Sequence, residues 1–270
     1  MVTLLERLRS LFPEASGRSL RQWLEHGRVE VNGSAVGDGR TAVEAGDRIT
    51  LRYRGAAPFP PLLGFVHEDG DLLVIDKPPG LLTIAAEHER ERTAYRLVWD
   101  YLRAGRPPRR PFVVHRLDKE TSGLLVVAKS VPAKRHLQAQ FESRDVERGY
   151  VALVEGRVRR DRGTLESRLV QDRGLRVRAG PSGRLAITHY EVRERRRDTT
   201  LLALHLGTGR RHQIRVQLAD LGHPVLGDAV HGSRRNPFGR MCLHASRLGF
   251  IHPGSGARVR FESTPPLAWV

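Results

Sequence analysis

The run Leu124–Ala128, LLVVA, constrains this chain more than any other stretch: five apolar residues follow one another without a polar interruption. A segment that short, closed off by turn residues, reads as a buried strand. What precedes it is its chemical opposite. His115-Arg116-Leu117-Asp118-Lys119-Glu120 is a charged cluster, followed by Thr121-Ser122 and Gly123. The charges therefore sit in a tight turn that feeds a core strand, a common way to hold a carboxylate rigidly at the edge of a cleft. Local chemistry leaves three readings of Asp118. It caps its own backbone in a solvated turn, it belongs to a kinase catalytic loop, or it is a nucleophile. The kinase reading fails, because Leu117 separates Arg116 from Asp118, no glycine-rich loop of that type lies upstream and no Asp-Phe-Gly follows.

Charge narrows the partner. Lys plus Arg number 46 against 30 Asp plus Glu, a net +16 in 270 residues. That excess points to a polyanion, most simply nucleic acid. Cys242 is the only cysteine, so there is no intrachain disulfide and no cysteine zinc cluster. The apolar runs are too short to span a bilayer, and MVTLLERLRS lacks a secretory signal's apolar segment. A cytoplasmic protein without a membrane partner is expected.

Residues 3–11 read as an amphipathic helix with Leu4, Leu5, Leu8 and Phe12 on one side, ended by Pro13. A second helix is expected from Arg18 to His26, with Leu20, Trp23 and Leu24 on one face and Arg18 and Arg21 on another. Asn32-Gly33 marks a hairpin, and Asp47–Tyr53 reads as a further strand. About fifty residues of this kind make only a small core. Gly55-Ala56-Ala57-Pro58-Phe59-Pro60-Pro61 reads as a linker. The expected division is therefore 1–54, a linker at 55–61, and a larger domain over 62–270.

In the larger part, Leu72–Ile75 reads as a buried strand broken by Lys77-Pro78-Pro79-Gly80. Thr93–Ala104 reads as a helix with Ala94, Leu97, Val98, Tyr101 and Leu102 inward, and Pro132–Glu142 as a helix with Leu137 and Phe141 paired. GRPPRRP over Gly105–Pro111 is a basic loop whose Arg109 and Arg110 are candidates for phosphate contact. Strands are expected at Val151–Val154, Leu185–Val192 and Thr200–Leu206. Gly209–Leu221 reads as a helix with Ile214, Leu218 and Leu221 inward and Arg211 and Arg215 on an adjacent face. Many strands and few long helices imply an α+β fold: a mixed, largely antiparallel sheet with flanking helices, plus a small N-terminal α/β domain. His244 and His252 have no carboxylate or thiolate neighbours at metal-ligand spacing.

VHRLDKETSGLLVVAKS closely resembles the HRLDxxTSG signature of the RluA-type pseudouridine synthases. DLLVIDKPPG, GRRHQIR and LHASRLGFIHP resemble further segments of that family in the same order. SLRQWLEHGRVEVNG with GDRITL resembles the small RNA-binding domain first described in ribosomal protein S-four. The resemblance implies an isomerase that converts uridine to pseudouridine in RNA without cofactor or metal. It makes Asp118 the catalytic nucleophile, Arg215 the basic partner of that aspartate and Tyr150 the aromatic floor for a flipped base. Arg116 becomes the residue that fills the space the base leaves. On pattern alone Arg215 could instead touch phosphate, Tyr150 could be a core residue, Arg116 could pair with Glu120, and His212 could be structural. Arg18, Arg21, Arg28, Arg109, Arg110, Arg210 and Arg211 are expected to bind RNA. LGDAVHGS departs from the family pattern by carrying His231 where that pattern has tyrosine. Large-subunit ribosomal RNA is the first expected substrate, with transfer RNA beside it, and the protein is expected to act as a monomer. The competing class is a non-catalytic RNA-binding or ribosome assembly protein on the same scaffold. The presence of Asp118, Tyr150 and Arg215 together argues against it. A metal-dependent RNA nuclease would need an acidic cluster that the spacing does not supply.

Overall fold

The structure is a computed structural model. It describes the chain apart from residues 1, 14, 26–28, 45, 52–58, 87–88, 106, 173, 175 and 270, and apart from the side chains of 22, 51 and 267. The chain divides into two units, Met1–Pro58 and Phe59–Val270.

In the first unit β1 (Val2–Thr3) leads directly into α1 (Leu4–Leu11). Thr3 Oγ1 accepts from the Glu6 amide at 3.3 Å, and Glu6 Oε2 accepts from the Thr3 amide at 2.9 Å. This reciprocal cap satisfies two amide donors that a helix start leaves orphaned. After α2 (Gly17–Glu25), strands β2 (Val29–Val31) and β3 (Ser34–Ala35) turn on Asn32 and Gly33, whose φ angles are 53° and 85°. Two successive positive φ values make the turn whose twist matches the strands. The two-residue β4 (Ala42–Val43) pairs with β1, and β5 (Ile49–Leu51) lies on the other side of β2 from β3. Leu4, Leu8, Leu20, Leu24, Val29 and Val43 form the core, with Trp23 and Ile49 against it. Arg18 and Arg21 are exposed on α2, and Arg28 lies outside the described residues.

The second unit is built on an eleven-stranded sheet. Its strands are β6 (Gly64–Glu68), β7 (Leu72–Lys77), β8 (Phe112–Val113), β9 (Ser122–Ala128), β10 (Glu147–Glu155), β11 (Arg162–Gln171), β12 (Val177–Ala179), β13 (Arg184–Arg195), β14 (Thr199–Leu206), β15 (Leu243–Ile251) and β16 (Arg258–Glu262). The main path runs β12-β11-β13-β14-β10-β15-β9-β7-β6, with β16 on β15 and β8 on β9. Every pairing is antiparallel except β9 with β15, so the expected mixed, largely antiparallel sheet is what forms. The unbroken apolar run of β9 now has its reason. Leu125 and Val127 pack toward α3 (Ala94–Ala104) through Val98 and Leu102. Leu124, Val126 and Ala128 pack with Leu137 of α4 (Val131–Ser143). A strand covered on both faces cannot alternate with polar residues. Phe59 packs edge-on against Tyr101 and Phe65, with ring centroids 5.2 and 5.3 Å apart, so this unit's packing begins within the stretch expected to be a linker.

The helix expected over Gly209–Leu221 is shorter: α5 spans Gln213–Asp220. Thr208 Oγ1 donates to Gln213 Oε1 at 2.7 Å, and the Arg210 amide donates to the same oxygen at 3.0 Å. Those bonds make 208–212 a turn, and His212 enters the helix with φ 53°. Ile214 and Leu218 are buried as expected, but Leu221 is 39% exposed. Gln213, Arg215 and Gln217 are buried as well. Arg211, outside the helix and exposed, shares no face with Arg215.

Candidate active site

The turn before β9 is clamped from beneath. Thr121 N donates to Asp118 O at 3.2 Å and closes it. Thr83 Oγ1 donates to Leu117 O at 2.8 Å and accepts from Leu117 N at 3.1 Å, which fixes the residue before Asp118. Lys77 is fully buried, and its ammonium donates to the carbonyls of Pro78, Leu81 and Lys119 at 2.8, 2.8 and 3.2 Å. Burial pushes its pKa down to about 8, against the opposing pull of Glu120 and Asp118, so it is still mainly cationic at neutral pH. All three of its donors are used on backbone. Gly123 then has φ 111°, and a Cβ there would stand 2.3 Å from Ala245 O. Only glycine lets β9 approach β15 so closely.

Asp118 is thereby held with its side chain 20% exposed, and its Oδ2 lies 3.3 Å from Arg215 Nη1. Arg215 thus lies beside Asp118, as the resemblance implies, and it has a second, closer carboxylate partner. Its Nε and Nη2 donate to Asp228 Oδ2 and Oδ1 at 2.6 and 2.8 Å, a bidentate pair with a carboxylate only 1% exposed. Burial works against the Arg215 charge, but the two carboxylates, Asp228 first, more than offset it and hold the guanidinium above its ordinary pKa. Asp228 is the acid of the GDAVHG segment and also caps a short 3-10 turn, Ala229–His231. It locks the plane of Arg215 and leaves Nη1 to donate to Asp118.

His212 Nε2 is 3.8 Å from the same Asp118 oxygen, and its Nδ1 is 3.1 Å from His231 Nε2. Burial pushes His212 down to about 4, so the ring is neutral at pH 7. A neutral ring favours the tautomer in which His231 donates to Nδ1 and Nε2–H faces the carboxylate.

A cleft of about 840 Å³ opens over Asp118. His115, Arg116, Phe141, Arg144, Arg148, Tyr150, Arg210 and Arg211 are among its lining. Arg116 is exposed and, among the described residues, has no ion pair with Glu120. A smaller pocket of about 60 Å³ shares Arg116, Asp118, Tyr150 and Arg210 with the cleft and adds His212 and Arg215. Burial raises Tyr150 to about 12, while Arg148 opposes and Asp118 adds to the rise. Its phenol is therefore protonated at neutral pH. Arg109 and Arg110 are not in this cleft: Arg109 Nη1 donates to Gly70 O, and Arg110 lies over the rings of Trp99 and Phe112 at 5.4 and 5.6 Å.

His252 corrects a different expectation. The fold brings Asp69 and Asp71 to it, with Asp69 Oδ2 2.9 Å from its Nε2 and 2.7 Å from His67 Nε2. Yet His252 Nδ1 accepts from the amides of Gly254 and Ser255, both at 3.1 Å. The proton is then on Nε2, which donates to Asp69 rather than offering a lone pair.

Residues 71–220 match the family described as RNA pseudouridylate synthase, and residues 4–49 match the S4 domain. The chain is 37% identical over 279 residues to the ribosomal large subunit pseudouridine synthase D of Vibrio cholerae, an alignment covering 95% of this chain and 85% of that one. It is 36% identical over 262 residues to an uncharacterized RNA pseudouridine synthase of Bacillus subtilis, covering 93% and 86%. Among solved structures, human RNA pseudouridylate synthase domain containing 1 superposes with a TM-score of 0.63 at 27% identity, over 76% of this chain and 84% of that one.

Proposed function

The chain belongs to the RNA pseudouridylate synthase family, and from that premise we propose that its substrate is a uridine of large-subunit ribosomal RNA, with Asp118 as the reacting carboxylate. It is an isomerase that converts uridine to pseudouridine in RNA. The ribosomal target is supported by the names of the Vibrio cholerae, Haemophilus ducreyi and Vibrio parahaemolyticus relatives and by an S4 domain at residues 4–49. Action as a monomer in the cytoplasm belongs to the same reading. No helix among the described residues is long and apolar enough to cross a membrane.

The reaction breaks the N1–C1′ bond of uridine, turns the base, and joins C1′ to C5. C5 loses a proton and N1 gains one, so atoms balance without a second reactant. One observation carries the assignment: the Asp118 carboxylate faces the basic cleft with an Oδ2 steadied by Arg215 at 3.3 Å. Arg215, pinned to Asp228, keeps a positive charge beside the carboxylate through the reaction. Tyr150 offers its ring to a base drawn out of its stack. A neutral phenol relays the C5 proton: its oxygen accepts that proton as its own passes to the Asp118 carboxylate regenerated when C1′ has joined C5, and from there to solvent in the cleft. Arg116, Arg210 and Arg211 supply phosphate contacts at the rim.

The test is release of tritium from RNA labelled at C5 of uridine. Purified large-subunit ribosomal RNA should lose label, and bulk transfer RNA should not. Asp118→Asn should lower release by a factor of about 1000 or more, a barrier rise of about 4 kcal/mol, while RNA binding stays within threefold. Release from transfer RNA alone would overturn the substrate, and residual Asp118→Asn activity within tenfold of wild type would remove Asp118 from its role.

A further inference from the structure

We propose that Arg148 is the seat of the phosphodiester that flanks the target uridine, resting on the reading of the cleft as the place where that uridine reacts. Among the described residues two half-buried arginines, Arg7 and Arg148, have a buried Nε without a hydrogen-bond partner, and of the two only Arg148 lines the cleft. Arg215 has two carboxylates, Arg195 has Asp161 and two carbonyls, and Arg240 has Ser122. Among the described residues Arg148 has no ion pair, and its buried Nε has no hydrogen-bond partner at all. Its one attractive contact is the ring of Phe141, 5.9 Å from its guanidinium carbon. Burial, first, and the nearby Arg144 cation pull its pKa below the ordinary arginine value, and the Tyr150 phenol, protonated at neutral pH, supplies no charge to offset them. A cation removed from water without an anion is an unfavourable arrangement that a folded protein keeps only where something else completes it.

The guanidinium is also aimed. It lines the 840 Å³ cleft with Asp118, Tyr150 and Arg144. Arg148 and Tyr150 are two residues apart on β10, with a pairing irregularity against β15 at Gly149/Tyr150. Both side chains nevertheless line the cleft, and two residues of strand span about 7 Å. A base lying on Tyr150 carries its own sugar and phosphate across that interval. Room for the guanidinium is made by Gly209, where a Cβ would stand 2.4 Å from Arg148 Nη1. A planar cation with open N–H groups, backed by an aromatic ring and fixed before substrate arrives, suits a phosphodiester oxygen.

The experiment uses full-length enzyme and the shortest synthetic RNA carrying a uridine that wild-type protein isomerises. A second RNA replaces the phosphate flanking that uridine with a neutral methylphosphonate. Wild-type enzyme should bind the neutral analogue about ten- to a hundredfold more weakly, the worth of a charge-assisted contact. Arg148→Met keeps a long apolar stem against Phe141 and drops the charge. It should bind the natural RNA more weakly by the same factor and distinguish the two RNAs by less than twofold. Its log affinity against log salt should be shallower by about 0.7. Gly209→Ala leaves the charge but turns the guanidinium aside, so it should reproduce much of the effect and serves if Arg148→Met does not fold. Equal sensitivity to the neutral phosphate in wild type and both variants would overturn the proposal. So would an Arg148→Met defect confined to the bound-state rate and its pH profile, which would make Arg148 a group acting on Tyr150. An RNA panel in which wild type isomerises nothing would instead overturn the functional reading, a separate result.

Discussion

At the scale of single residues the site is a series of charges, Asp118, Arg215 and Asp228, and its third member is the one that sequence spacing hides. Asp118 and Arg215 are legible because each stands inside a contiguous motif, whereas Tyr150 is singled out only by the resemblance and on pattern alone reads as a core residue. Asp228 is not legible, because its bidentate grip on Arg215 exists only once the chain has turned back after α5. Arg148 is legible only as a residue leading into a strand, since the lack of a partner is a property of the folded surroundings. Asp228→Asn removes the charge and keeps the shape. It should destabilise the protein by about 3 kcal/mol, as breaking a buried pair does. It should also lower the saturated rate more than tenfold while RNA affinity changes less than threefold. A variant with weakened affinity and an intact rate would show that Arg215 serves binding. His115 makes a prediction of its own. Its Nε2 accepts from the Val126 amide at 3.1 Å, and burial, with Arg148 adding to it, pushes it down to about 3. The folded state refuses a proton that the unfolded chain takes up near its ordinary value of 6.5. Stability from this group is therefore complete above pH 6.5 and declines as pH falls toward 3, by at most about 1.4 kcal/mol per unit. Urea unfolding at pH 7 and pH 5 should show a smaller acid loss in His115→Phe than in wild type. An identical loss in both would assign the acid sensitivity elsewhere.

At the scale of elements, what the sequence makes legible follows from local punctuation and pattern. Thr93 and Ser130 cap α3 and α4 where a helix start is expected, and the Asn32-Gly33 turn sits where that dipeptide demands it. The helical pattern at α5 begins four residues before the helix does, because Thr208 and Gln213 bond to one another and hold 208–212 out of it. The polar residues of GRRHQIRVQ look like a helix surface in sequence. Here Gln213 and Gln217 are buried and satisfied by Thr188, Ile187 O and Ala186 O. The junction of β9 with β15 is the element most exposed to a single change. Gly123→Ala meets both a positive φ and a backbone oxygen at 2.3 Å, a strain that neither rotamer nor neighbour relieves. It should cost about 3 kcal/mol or more and should remove activity by moving the turn that carries Asp118. A midpoint of denaturant unfolding within the error of wild type would show that the junction relaxes.

At the scale of the whole molecule the chain is two units with separate cores, the first built on Leu4, Leu8 and Leu20. Asp118, Tyr150 and Arg215, the groups proposed to react, all belong to Phe59–Val270. Deleting residues 1–57 should therefore leave a folded protein whose saturated single-turnover rate changes little. Affinity for full-length RNA should fall. Its salt dependence should become shallower by about 0.7 to 0.9 for each phosphate that Arg18, Arg21 and their neighbours no longer neutralise. Unchanged affinity and slope would mean that the small unit does not bind RNA, and an insoluble product would mean that the units share a core. The order of strands has one more consequence, in time rather than in space. Ser122 meets His244 across 122 residues, and Asp118 meets Arg215 across 97. Pairings of such separation form slowly, because long loops must close before they are rewarded. A nascent chain leaving the ribosome must then carry an unassembled carboxylate turn until β15 emerges. The chain should therefore be inert until β15 is made, and a refolding experiment should recover burial of β9 against α3 and α4 before it recovers isomerase activity.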